Sequence, residues 1–260
     1  MFRAPVSIYM TRDPVSCRPE SSLEDVAAQL SLRKISAMPV IDASGHPVGL
    51  ISRRDLLRVG TLEPAGDGSR ARRWRLPDQT ALEAMSDKLV AVASTTSVKE
   101  AAAVLLDNRI HRVLVEKDRR LVGMLTTRDV MRAIVEQRYR APIHRFMSSP
   151  AQTIAAFEPI SAARKQLESL GVRGLVVAEE GWPIGVFAEE DALASRNHDA
   201  STPVEHVMGH EVLIQGPDVA AYRAAGRMGS MHARRIVVVE NAVVQGVLTG
   251  FDLAGAAAMA

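Results

Sequence analysis

The sequence predicts an α/β (α+β) fold built from four β-α-β-β-α repeats, and two observations carry that prediction. A pattern of glycine, two apolar residues, three further residues and aspartate occurs four times, as Gly49–Asp55, Gly123–Asp129, Gly185–Asp191 and Gly246–Asp252. A methionine precedes each aspartate at nearly constant distance: Met10, Met85, Met147 and Met208 lie 45, 44, 44 and 44 residues upstream. Self-similarity at a fixed period marks a repeat architecture.

Within a repeat the elements follow from local pattern. A short extended stretch comes after the methionine and is clearest at Leu89-Val90-Ala91-Val92. The first helix shows apolar residues at i, i+3, i+4 and i+7: Leu23, Val26, Ala27 and Leu30 in repeat one, Val98, Ala101, Ala102 and Leu105 in repeat two. Ser22 with Asp25, and Ser97 with Glu100, read as capping pairs at the helix starts. Two β-branched runs follow, such as Pro39-Val40-Ile41 and Val48-Gly49-Leu50-Ile51, divided by the turn Ser44-Gly45-His46-Pro47. A second helix starts right after the Ser/Thr of the repeated pattern, as Asp55-Leu56-Leu57 and Asp129-Val130-Met131 suggest. A unit of about 60 residues buries too little of its sheet alone, so repeats are expected to pair.

The aspartate-to-aspartate step is 74 residues from Asp55 to Asp129 but 62 and 61 afterwards. The surplus lies in 58–80, where Pro64, Gly66, Gly68 and Pro77 predict a loop. That loop carries Arg70-Ala71-Arg72-Arg73-Trp74-Arg75, a basic run around an aromatic: either a solvated linker or a contact for nucleic acid or an acidic partner.

Composition limits the function classes. Net charge is +2, with 21 Lys/Arg against 17 Asp/Glu in residues 1–136 and 11 against 13 in 137–260, too balanced for a generic nucleic-acid binder. Cys17 is the one cysteine, which excludes an internal disulfide framework, fits a reducing compartment and is expected to be a small buried residue at the end of a strand. The start, Met1-Phe2-Arg3-Ala4-Pro5, has no apolar leader region, and no apolar run is long enough to span a bilayer, so the expectation is a soluble cytoplasmic protein. No catalytic constellation is visible. His206 and His210 are four apart, but they flank Met208 and lack a third metal ligand, so no metal is expected.

On these motifs the chain resembles the tandem cystathionine-β-synthase (CBS) domain proteins, over repeats at about 5–60, 80–136, 141–198 and 202–256. The resemblance implies two Bateman modules, 1–136 and 137–260, each a pair of repeats with adenosine compounds bound in the clefts between them. The ligand would be AMP, ADP, ATP or S-adenosylmethionine. It further implies that the Asp of Gly-x-x-Ser/Thr-x-x-Asp takes the ribose hydroxyls while the Ser/Thr lies near ribose or phosphate. Ser52 and Asp55, Thr126 and Asp129, and Thr249 and Asp252 keep both residues. Repeat three has Ala188 in place of the hydroxyl and Glu189 and Glu190 beside Asp191, so its site is expected to be degenerate, with carboxylates that repel phosphate.

Ile110-His111-Arg112-Val113 resembles the Ile-His-Arg segment of the nucleotide-sensing γ subunits of AMP-activated protein kinase, which implies phosphate contacts from His111 and Arg112. Arg234 and Arg235 match in repeat four and Arg173 in repeat three, with Arg128 a weaker candidate. Repeat one has Ser36 and Ala37 there, and is expected to borrow charge from Arg53, Arg54 or its partner repeat. The resemblance also implies an apolar base pocket with Val15 and Ser16 opposite Asp129, and Leu89 and Val90 opposite Asp55. The chemistry agrees, because an ionised carboxylate accepts from both hydroxyls of a ribose and a helix N-terminus favours a phosphate. The same Ser/Thr-x-x-Asp spacing also makes a capping box that needs no ligand. The sequence therefore leaves three readings: a non-enzymatic regulatory nucleotide binder signalling to an effector protein, possible as a homodimer; a ligand-free interaction scaffold; and a nucleic-acid binder acting through 70–75.

Overall fold

The computed structural model describes residues 1–66, 69–117 and 120–260. Repeat one comprises β1 (Thr11–Arg12), α1 (Leu23–Leu32), β2 (Ala37–Ile41), β3 (Pro47–Ser52) and α2 (Arg53–Val59). Between it and repeat two lie β4 (Thr61–Pro64), β5 (Arg72–Arg75) and α3 (Ala81–Ala84). Repeat two is β6 (Ala91–Ala93), α4 (Val98–Asp107), β7 (Arg112–Lys117), β8 (Arg120–Thr126) and α5 (Thr127–Glu136). Repeat three is β9 (Thr153–Ala155), α6 (Ile160–Ser169), β10 (Gly174–Glu179), β11 (Trp182–Ala188) and α7 (Glu189–Ala194). Repeat four is β12 (Ile214–Gln215), α8 (Ala221–Ser230), β13 (Arg235–Glu240), β14 (Val243–Thr249) and α9 (Gly250–Met259).

The local rules hold in detail. Leu23, Val26, Ala27 and Leu30 are buried on α1, and Val98, Ala101, Ala102 and Leu105 on α4. Ser22 Oγ accepts from Asp25 N at 3.1 Å, and Ser97 Oγ from Glu100 N at 3.2 Å. The first strand of each repeat runs parallel to the next, as β6 with β7, β9 with β10 and β12 with β13. In repeat one this strand shrinks to Cys17, which bridges Val40 while β1 pairs instead with β8 of repeat two. Among the described residues, no helix is long and apolar enough to cross a membrane.

The repeat-start methionines explain both the period and the glycine of the motif. The residue after each methionine pairs with the residue after the glycine of a sister repeat: Thr11 with Met124, Ser86 with Leu50, Ser148 with Val247 and Gly209 with Val186. The methionine side chain then lies on that glycine. A Cβ at Gly123 would stand 2.6 Å from Met10 Sδ, and one at Gly246 would stand 3.2 Å from Met147 Sδ and 2.5 Å from Ser148 O. Met85 and Met208 overlie Gly49 and Gly185 in the same way.

The expected loop at 58–80 is corrected, apart from residues 67 and 68, which lie outside the described residues. β4 and β5 form an antiparallel hairpin, with Leu62 opposite Trp74. Trp74 is 4% exposed and packs into the core of repeat one, against a backbone where any side chain at Gly60 would overlap its ring. Arg164 of α6 stacks over the indole at 5.6 Å, and Ala200 N donates to Arg72 O at 2.8 Å. The hairpin therefore binds repeat one to repeat three.

Contacts divide the chain into two compact units. The first is Met1–Pro14, Leu89–Ala151 and Leu213–Ala260, which holds repeats two and four. Its α5 packs on α8 and α9, and α4 packs on α9. The small face of α9, with Ala254 and Ala257 buried, lets one continuous apolar core run through both repeats. The second unit is Val15–Lys88 and Gln152–Val212, which holds repeats one and three. Here α2 packs on α7, helices of 7 and 6 residues, and the apolar residues form two separate clusters.

Candidate functional site

In repeats one, two and four the motif places its hydroxyl at a strand end and its aspartate about one helical turn later, and in repeat three Ala188 takes the hydroxyl's place. Asp55 Oδ2 accepts from Ser52 N at 2.9 Å and Ser52 Oγ at 2.6 Å. Asp129 Oδ2 accepts from Thr126 N and Oγ1, both at 2.8 Å, and Asp252 Oδ2 from Thr249 N at 2.7 Å and Oγ1 at 2.6 Å. Asp191 keeps only the backbone half, from Ala188 N at 2.8 Å. These are capping boxes, with the aspartate closing the first turn.

The first unit brings two of these helix starts together. A Cβ at Gly250, the first residue of α9, would stand 2.9 Å from Thr127 Oγ1 and 3.1 Å from Met131 Sδ of α5. His111 stacks on Phe251 with ring centroids 4.9 Å apart, and its carbonyl accepts from Thr127 N at 3.1 Å. Arg112 lies directly across from Thr126, and Arg235 directly across from Thr249. Arg234 precedes Arg235 at the start of β13, and Arg128 is exposed on α5. This unit thus holds all five predicted phosphate residues together with Thr126, Asp129, Thr249 and Asp252. Burial raises the Asp129 carboxyl above its ordinary range, outweighing the opposing Thr126 contacts and the nearby Arg132 and Arg128. Burial likewise raises Asp252, against Thr249 and Ser148.

The second unit has the same backbone and different chemistry. The residues across from the helix-start positions are Ala37, opposite Ser52, and Gly174, opposite Ala188. Arg53 Nη1 donates to Glu190 Oε2 at 2.6 Å, and Arg54 Nε donates to Glu189 Oε1 at 2.9 Å. Arg53 and Glu189 are buried. This corrects two expectations. Glu189 and Glu190 act as partners for arginine, not as isolated repelling carboxylates, and Arg53 and Arg54 have their charge neutralised inside the unit. Arg173, the third-repeat counterpart of His111, accepts from Glu189 N through its carbonyl.

Val15 and Ser16 line a cleft of about 750 Å³ formed within repeat one, together with Cys17, Arg18, Asp25 and Arg33. Burial pushes the Cys17 thiol up to about 11, which leaves it an inert thiol at neutral pH. Leu89 precedes Val90, whose carbonyl accepts from Leu114 N in the first unit. His206 sits in a short 3-10 turn, 4.0 Å from Glu205. Among the described residues no group of three or more metal-ligating side chains gathers.

Sequence reasoning missed Phe251 and Ser148. Phe251 occupies a variable position of the motif, which gives no signal of its own. Ser148 donates to Asp252 Oδ1 at 2.9 Å, and a signal existed: Thr11, Ser86 and Ser148 are all hydroxyl residues directly after a repeat-start methionine.

Comparison with known proteins agrees with this architecture. The sequence model of the CBS domain matches residues 6–61 and 81–136. The inosine-5'-monophosphate dehydrogenase of Mycobacterium leprae is 29% identical over 126 residues, which are 47% of this chain and 21% of that enzyme. An uncharacterized 33.4 kDa protein of Thermofilum pendens, encoded in a ribosomal RNA operon, is 22% identical over 79% of this chain and 66% of its own length. The chain thus spans from about a fifth to about two thirds of these curated relatives. The crystal structure of protein MJ1225 from Methanocaldococcus jannaschii, described as a proposed archaeal homolog of g-AMPK, superposes with a TM-score of 0.82. It covers 97% of this chain and 99% of its own, at 16% identity, a likeness of fold. The chain thus carries two CBS domains, at 6–61 and 81–136, and shares the fold of MJ1225 along its length.

Proposed function

We propose that this chain is a regulatory protein that binds an adenosine compound, AMP, ADP, ATP or S-adenosylmethionine, and passes the signal to an effector protein by a change of shape. Residues 1–136 and 137–260 act as its two Bateman modules, with Val15, Ser16, Leu89 and Val90 lining the base pocket. The observation that carries this reading is the meeting of two Thr-x-x-Asp helix starts in the first unit, flanked by His111, Arg112, Arg234 and Arg235. Carboxylates suit sugar hydroxyls, and guanidinium groups beside a helix N-terminus suit phosphate. Ligand would favour one conformation over another, and the effector would bind that conformation better. The dehydrogenase relatives share a segment of 126 residues with this chain, so their catalysis is no part of the reading.

A ligand-free interaction scaffold is the second reading, favoured by the capping hydrogen bonds that already engage every motif aspartate. The nucleic-acid reading loses its aromatic, since Trp74 is buried beneath Arg164. A thermal-shift series with AMP, ADP, ATP, S-adenosylmethionine, NAD and GTP separates the first two. Ligand at 100 times its dissociation constant adds about 2.7 kcal/mol. A shift selective for adenosine compounds and reduced in Asp129→Ala supports the sensor. Identical melting with and without every compound supports the scaffold.

A further inference from the structure

Asp252 differs from Asp55 and Asp129 in the number of hydrogen bonds it already accepts. Asp55 and Asp129 each accept two, both on Oδ2 and both from their own helix start, while Oδ1 faces Arg58 and Arg132 respectively in ion pairs at 3.7 Å. Asp252 accepts the same two and a third, on Oδ1, from Ser148 Oγ at 2.9 Å. Ser148 cannot withdraw by moving its backbone. Its N donates to Val247 O and its O accepts from Val247 N, both at 2.9 Å, and Ser149 Oγ donates to Gln245 O at 2.7 Å. Ser148 O lies so close over Gly246 that no side chain fits between. At the corresponding strand positions, repeat two receives Thr11, which is exposed, and repeat three receives Gly209, which has no hydroxyl.

We propose that Ser148 is a specificity-determining residue for the sugar at Asp252, holding the carboxylate oxygen that a second sugar hydroxyl would need. The inference rests on the nucleotide reading above. An ionised carboxylate offers about four acceptor positions. With three taken, Asp252 engages a sugar through a single hydroxyl and separates ribonucleotides poorly from 2′-deoxyribonucleotides. With two taken, Asp129 retains room for a vicinal diol and requires one.

The test uses the full chain and isothermal titration with AMP and ATP against their 2′-deoxy counterparts. Asp129→Asn, which keeps a helix-capping side chain, isolates Asp252. In that background ribo and deoxy ligands should bind within about threefold of each other. Adding Ser148→Ala should tighten the ribo ligand about tenfold and leave the deoxy ligand unchanged, the scale of one hydrogen bond to a charged group. Ser148→Thr, which keeps the hydroxyl, should behave as the parent. A ribo-to-deoxy ratio that Ser148→Ala does not move overturns the proposal, as does tenfold discrimination already present with Ser148 in place. If the natural sequence binds nucleotide and Asp129→Asn abolishes all binding, Asp252 is not a sugar site: this inference falls while the nucleotide reading stands. Absence of binding to the natural sequence removes both.

Discussion

Replacing Glu190 by alanine tests whether the second unit is held by charge pairing between its two cores. Arg53 Nη1 lies 2.6 Å from Glu190 Oε2, and the arginine side chain is 8% exposed against 39% for the glutamate. The guanidinium also donates to Leu30 O at 3.4 Å. Removing one partner of a fully buried pair costs about 3–5 kcal/mol, because a charge is stranded away from water. Here one partner is over a third exposed, so water reaches part of the pair and the expected cost falls to about 2–3 kcal/mol. For a chain of this size that lowers the melting temperature by roughly 5–10 °C. Urea unfolding of Glu190→Ala, Arg53→Met and the double variant would measure it. If the cost is a stranded guanidinium, Glu190→Ala should cost little once Arg53 is methionine. An equal cost in both backgrounds, or one below about 0.5 kcal/mol in the first, refutes the reasoning.

The glycine positions offer a paired comparison. Gly246→Ala drives a Cβ to 2.5 Å from the backbone oxygen of Ser148 and should cost about 2–3 kcal/mol, whereas Gly49→Ala meets the movable Met85 side chain and should cost about 1 kcal/mol. Urea midpoints that rank the two the other way would show that the methionine, not the strand beneath it, sets the packing. Acidity gives a second test. Burial raises the Asp129 carboxyl above its 3.8 reference, so the native state binds that proton more tightly than the unfolded chain. Asp129→Asn should therefore melt higher than the natural sequence at pH 7. The gap should narrow as pH falls through the raised value and close below the unfolded one. A gap that widens on acidification would mean the native fold favours the carboxylate.

What the sequence made legible was whatever depends on neighbours along the chain. The buried faces of α1 and α4, the Ser22 and Ser97 caps and the hairpin β2–β3 follow from spacing and turn chemistry within a dozen residues. The site residues were legible as types: Thr126 with Asp129, Thr249 with Asp252 and the basic residues that stand across from them. The contact of α5 with α9 was not, because it depends on Gly250 and Thr127 meeting from 123 positions apart. The hairpin at 61–75 was hidden for another reason. Its strands are four residues long, and the arginines around Trp74 mask the one side chain that fills a core. Glu189 and Glu190 read as misplaced charge for as long as Arg53 and Arg54 belonged to a different repeat of the list of motifs.

The two units solve one packing problem in two ways, and the difference bears on where regulation resides. In the second unit the helices that meet are short and the apolar core is split into two clusters, touched across by Leu193 and Leu57, so the charge pairs of Arg53, Arg54, Glu189 and Glu190 carry part of the hold between the repeats. A foreign anion there would have to displace carboxylates already in place. In the first unit ten-residue helices join the repeats through a continuous apolar core. That core takes the work of cohesion away from the polar groups at the helix starts. It also desolvates Asp129 and Asp252 enough to raise both carboxyls, so each ionises at a cost to folding. Perturbed acids in company with basic residues are what binding sites contain. A hydroxyl ligand that hydrogen-bonds to such a carboxylate offsets part of that cost, which ties stability of the first unit to ligand. Under the proposed nucleotide reading the first unit is the one that responds to ligand, while in the second the charge pairs tie its own two repeats.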